Sequence, residues 1–199
     1  MIPVLRHDFP IATERRQVLP AALPFACGLA AGTRVETADG LVAVEDLVPG
    51  QLLETTEGHQ PLLRLLRCLP GSPSATSQVM LPAGILGRGK PLILAAEQEI
   101  VVSGWIAELH FGADAVTLTP AMLLRQGLAR VVGPAQETSL YMPVVARPSA
   151  VYAGALALTI ACVGGETAQD HDAALPGTIE LNDAEAALVL SLLGAATLH

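Results

Sequence analysis

Thr33-Arg34-Val35-Glu36-Thr37-Ala38-Asp39-Gly40-Leu41-Val42-Ala43-Val44 is the stretch that decides the fold, with two aliphatic and polar bursts on either side of Ala38-Asp39-Gly40. Asp-Gly supplies the positive φ that a tight hairpin demands, so the segment predicts a pair of antiparallel strands. Beyond it, Glu45-Asp46-Leu47 predicts a single helical turn and Val48-Pro49-Gly50 a second turn. Gln51 to Thr56 then predicts another strand, ending at Glu57-Gly58.

The same rhythm continues outward. Leu62-Leu63-Arg64-Leu65-Leu66-Arg67, in the segment Pro61 to Cys68, fits either an edge strand with a bulge or one helical turn. Pro70 to Ser77 has the small, polar, proline-bearing composition of an exposed loop. Strands are predicted at Val79–Leu81, Pro91–Leu94, Ile100–Val102 and Ala115–Leu118, then around Ser139 to Val145 and Ala150 to Ile160. A short helix is expected at Pro120 to Gln126, with proline at its start and Gly127 at its end. Aromatic residues are only 3% of the chain, so an all-β class with an aliphatic core follows.

Composition sets limits on function. The 199 residues carry 11 Lys+Arg against 19 Asp+Glu, a formal net charge of -8, and so lack the basic surface that holds a phosphate backbone; nucleic acid is not an expected partner. No apolar run reaches the roughly 20 residues that cross a bilayer, so no transmembrane segment is expected. The three cysteines, Cys27, Cys68 and Cys162, form no C-x-x-C pair. The five histidines, His7, His59, His110, His171 and His199, show no metal-ligand spacing. Neither a metal nor a cofactor is expected. After Arg147 no basic residue follows, while Glu166, Asp170, Asp172, Glu180, Asp183 and Glu185 do. In this acidic annex, Asn182-Asp183-Ala184-Glu185 predicts a capped helix near 183–193, apolar nearly all round and therefore expected to pack on the β body.

Gly28-Leu29-Ala30-Ala31-Gly32-Thr33-Arg34-Val35-Glu36-Thr37, with Asp39-Gly40, Val44-Glu45-Asp46-Leu47 and Val48-Pro49-Gly50, resembles the opening of the Hint (Hedgehog/intein) domains. The closest pattern is that of a bacterial branch reading G-T-x-I/V-x-T-x-x-G-x-x-x-V-E-x-L-x-x-G-D. A second block, Leu92 to Val102, falls where the family carries L-L/V-S/T-P-x-H-x-I/V, and Val116 to Leu123 is similar to its V-x-A/P-x-x-L stretch. The resemblance implies a compact, horseshoe-like β fold over residues 27–162, here with a short C-terminal helix. It leaves residues 1–26 as an N-terminal arm and 163–199 as the annex.

The family's self-processing members use a first-residue Cys or Ser that attacks the preceding carbonyl, with a Thr and a His from the second block acting on the scissile amide. On this chain the nucleophile position, five residues before Thr33, is Gly28; the Thr position is Ala95 and the His position is Gln98. Cys27 lies one residue upstream, and a one-residue shift along a strand reverses the side-chain direction. No catalytic residue is therefore expected at these degenerate positions. Cys27 is expected to be a buried or half-buried thiol, Gln98 between Glu97 and Glu99 a solvated loop residue, and Glu45-Asp46 a helix-capping pair.

The function expected is that of a Hint domain without autoprocessing, a binding or scaffold module with an unknown protein partner and unknown oligomeric state. The alternative is an active domain using Cys27 to cleave after Ala26, an autoproteolysis through a thioester. A second alternative is an exported lipoprotein-like surface protein, since Arg15-Arg16 and Pro24-Phe25-Ala26-Cys27 loosely match export signals. Pro24 is wrong for the lipoprotein box, so a cytoplasmic location is the default expectation.

Overall fold

The hairpin forms where Asp39-Gly40 places it, and short strands follow it through the described residues. The computed structural model describes residues 27–72, 76–87, 89–163 and 175–196. The first strands are β1 (Leu29–Ala30), β2 (Arg34–Thr37) and β3 (Gly40–Ala43), followed by β4 (Leu52–Thr55), β5 (Gly58–Pro61) and β6 (Arg64–Cys68). Then come β7 (Gln78–Leu81), β8 (Leu92–Ala95), β9 (Ile100–Ser103), helix α1 (Trp105–Phe111), β10 (Ala115–Leu118) and helix α2 (Pro120–Arg125). The last elements are β11 (Arg130–Val131), β12 (Leu140–Val145), β13 (Ser149–Ala153), β14 (Leu156–Cys162), β15 (Thr178–Glu180) and helix α3 (Asp183–Ala196). The strands make one open, branched sheet whose main path runs β11-β7-β8-β1-β12-β14-β13-β4-β2-β3.

Two hairpins share one local device. In Thr37-Ala38-Asp39-Gly40 the Thr37 hydroxyl donates to the Gly40 carbonyl at 2.7 Å and accepts from the Asp39 N–H. In Thr55-Thr56-Glu57-Gly58 the Thr55 hydroxyl does the same with Gly58 and Glu57. Each threonine closes its turn from the inside, and each is buried. Val35, Leu53, Leu94, Ile100, Leu118 and Leu158 are fully buried beneath these strands, an aliphatic core of the kind the composition implied.

The segment left open by its sequence, Pro61 to Cys68, contains edge strand β6. Its register with β12 is unbroken from Val144↔Arg64 to Leu140↔Cys68, so there is no bulge. The expected single strand Ala150 to Ile160 is instead the hairpin of β13 and β14, because Gly154 turns the chain at φ +66°. The single helical turn predicted at Glu45-Asp46-Leu47 is a 3-10 turn at Val44–Asp46. The acids there do a different job from the capping expected of them: the Glu45 carboxylate accepts the Gly32 N–H at 2.8 and 2.9 Å. Gly32 sits at φ +83°, a conformation suited to glycine, and Glu45 fixes that turn from 13 residues away.

Helix α3 packs on the β body, against α2 and the turn Ile85–Gly87, with Ala186 and Val189 fully buried. Its start is a reciprocal cap. Asn182 Oδ1 accepts the Ala184 and Glu185 N–H groups at 3.0 Å, and Glu185 Oε2 accepts the Asn182 N–H at 2.9 Å. Arg125 on α2 forks onto Asp183 beside it. Substituting Asn182→Ala is expected to lower stability by about 1 kcal/mol, read as a shift in the denaturant midpoint at unchanged slope. A change near zero would show that the Asn182 side chain is dispensable, with the Glu185 half of the cap and the exposed Arg125–Asp183 pair holding the start of the helix.

Candidate functional site

The first and second blocks of the sequence meet where β1 enters the sheet. Leu29 pairs with Leu94 of β8 on one side and Tyr141 of β12 on the other. Gly28 continues this pairing, its carbonyl accepting the Ala95 N–H at 2.9 Å. Directly after Ala95 the chain turns back, with Gln98 N–H donating to the Ala95 carbonyl at 3.1 Å, and then enters β9.

Gln98 is fully buried, and the expectation of a solvated loop residue is corrected here. Its exposed neighbour Glu97 carries the turn's polarity outward, while the Gln98 side chain points in between β1 and β14. Oε1 accepts the Gly28 N–H at 2.9 Å. Nε2 donates to the Thr159 carbonyl at 2.9 Å and also lies within bonding distance of the Glu99 carbonyl at 3.1 Å and the Thr159 hydroxyl at 3.2 Å. Burial of a carboxamide is tolerated because every polar atom has a partner.

The peptide nitrogen gripped by the second block therefore belongs to Gly28, and the bond at the centre of the site is Cys27–Gly28. Gly28 brings no side chain to it. Ala95, fully buried, brings a methyl group where the family pattern has a hydroxyl. Cys27 stands on the far side of that bond, half-buried, with its Sγ–H donating to the Glu97 carbonyl at 3.2 Å. Burial, with the Glu99 and Glu97 carboxylates beside it, pushes the Cys27 thiol up to about 12. A thiol so placed is a poor source of thiolate.

The other candidates lie elsewhere. Cys68 is buried at the end of β6 and Cys162 half-buried at the end of β14, both as free thiols. His59 is exposed on β5 with Nε2 2.6 Å from Glu54, its cross-strand neighbour. His110 is exposed on α1 with its ring near Trp105. His7, His171 and His199, like Arg15, Arg16 and Ala26, lie outside the described residues. Among the described residues no group of His, Cys, Asp and Glu is placed to hold a metal, and no helix is long and apolar enough to cross a membrane.

The sheet is thus open and branched, and its first strand is gripped at one peptide by a turn 70 residues later. Residues 27–159 match the family model described as Hint domain, and the chain belongs to that family. Solved structures similar to it include the gp41-1 intein, at 13% identity, TM-score 0.43, covering 67% of this chain and 98% of that one. The bacterial intein-like domain from Clostridium thermocellum matches at 16% identity and TM-score 0.42 over 67% and 97%. A DnaB intein from Synechocystis matches at 11% identity and TM-score 0.41 over 68% and 98%. No curated protein matches the sequence.

Proposed function

We propose that this chain is a Hint domain that has given up self-processing and serves as a binding or scaffold module, with residues 1–26 remaining joined to it. The observation that carries this is Gln98 Oε1 on the Gly28 N–H. The peptide held by the second block is followed by a residue with no nucleophile, so ring closure onto the carbonyl of Cys27 has no attacking atom. Three further features favour the same reading. Ala95 lacks a hydroxyl to donate to an oxyanion. A carboxamide at position 98 carries no transferable proton at neutral pH. The one nearby thiol, Cys27, is held protonated by burial and by two carboxylates.

Intact-mass measurement of the purified full chain, with and without 1,4-dithiothreitol, tests it. A single full-length species in both samples is the expected result. Fragments separating at Ala26–Cys27 in the presence of the thiol, and absent from a Cys27→Ala variant, would establish active processing and overturn the proposal.

A further inference from the structure

Three segments far apart in the chain meet at one uncharged side chain: Gly28 before β1, Glu99 before β9, and Thr159 in β14. A carboxamide offers an acceptor and two donors on opposite ends of one rigid plane. Gln98 uses the acceptor for the Gly28 N–H and turns the donors toward the carbonyls of Thr159 and Glu99. With Ala95 N–H on the Gly28 carbonyl, both backbone polar groups of that residue are held.

We propose that Gln98 is an amide latch that fixes the Cys27–Gly28 peptide at the entry to β1, and that it stays closed independently of pH. Other polar residues of similar reach would not do this. An imidazole accepts the Gly28 N–H only while neutral, and once protonated it offers donors alone. A carboxyl satisfies both ends only while protonated; ionised, it sets acceptors against the Thr159 and Glu99 carbonyls. The latch thus brings no titratable side chain to the joint between β1, β9 and β14. It rests on the proposed loss of processing only in that the Cys27–Gly28 bond stays whole.

Hydrogen exchange at the Gly28 amide of the full chain, followed by NMR between pH 4 and 8.5, tests the latch. The titratable and charged groups around the turn include Cys27, Glu97 and Glu99, with Arg125 of α2 close enough to act on Glu97; every variant keeps them, so the wild-type profile is the reference. Wild-type protection, corrected for the intrinsic exchange rate, is expected to stay within about twofold across the range. Gln98→Ala is expected to lose at least about tenfold at every pH, a loss of one buried hydrogen bond at that amide. In Gln98→Glu, burial and two facing carbonyls raise the carboxyl above its unfolded value of about 4.3, so protection is greatest at the acid end. It should then fall by up to about tenfold per pH unit as the group ionises. Should Gln98→Ala fail to fold, Gln98→Glu at the acid end still supports the measurement. A Gly28 amide unprotected in the wild type, or a flat profile in Gln98→Glu, overturns the latch. Intact mass of the same samples reads chain cleavage separately, so failure of the latch and failure of the inert reading are told apart.

Discussion

Cys27 in the folded chain is expected to be alkylated by iodoacetamide at pH 8 about fiftyfold more slowly than the same residue in the unfolded chain. The shift of its thiol from the ordinary 9.0 to about 12 cuts the thiolate population at pH 8 by roughly a thousandfold. The rare thiolate is also more basic, and a Brønsted slope of about 0.4–0.5 returns roughly twentyfold of that loss. The population term wins. Peptide mass spectrometry after timed labelling, folded and in denaturant, gives the ratio at Cys27, with half-buried Cys162 as an internal comparison. A folded rate within a fewfold of the unfolded one would show a thiol available for attack, and the case for Cys27 as a nucleophile would reopen. The same shift links stability to alkali. Because the folded value lies above the unfolded one, the contribution is intact below pH 9 and is lost as pH rises toward 12, at no more than about 1.4 kcal/mol per pH unit.

Why the sulfur is so disfavoured could be read only in part from the sequence. Glu97 and Glu99 are visible there, but their distance from Cys27 is set by β8 pairing with β1, a long-range event. The first hairpin was legible because Asp39-Gly40 states its turn locally, while Glu57-Gly58 marked only the end of β4; the helix cap at Asn182 was legible because its four residues carry both halves of the reciprocal bond. By contrast β5, Gly58-His59-Gln60-Pro61, shows no aliphatic alternation. Its buried Gln60 is satisfied by Ser149 and the Arg147 N–H from a strand and turn nearly 90 residues on, which no local pattern encodes. Helix α1 is seven residues long, too short for a periodic signal, and only Gly104 and Gly112 at its ends mark it.

Gln98 shows the same division at the site. The resemblance to the family's two blocks pointed to Gly28, Ala95 and Gln98 as the counterparts of its site positions. Burial of Gln98 did not follow from its glutamate neighbours. Side chains on a tight turn alternate inward and outward, and the inward partner, Thr159, is 61 residues away. The signal available was chemical: a carboxamide standing where the pattern has an imidazole retains reach and hydrogen-bonding capacity, and polar groups of that kind are buried when fully partnered.

Restoring the attacking atom alone should therefore do little. Gly28→Cys puts a thiol on the residue whose nitrogen is gripped, within reach of the Cys27 carbonyl, yet Gln98 still has no proton to give to the departing amine. Gly28→Cys combined with Gln98→His supplies both, and thiol-induced cleavage at Cys27–Gly28 is expected to run about two to four orders of magnitude faster in the double variant than in the single one, the usual contribution of general acid transfer. Gly28 holds φ +155°, a backbone that L side chains rarely adopt, so the new cysteine carries strain. That strain is present in both variants and cancels from the ratio, which makes the ratio a better measure than either rate. Cleavage followed by intact mass against time, at fixed thiol concentration near pH 7, gives both rates. Equal rates would mean that position 98 does not limit the chemistry, and the inertness of the chain would then have to be sought in Ala95 or in the geometry of the first strand.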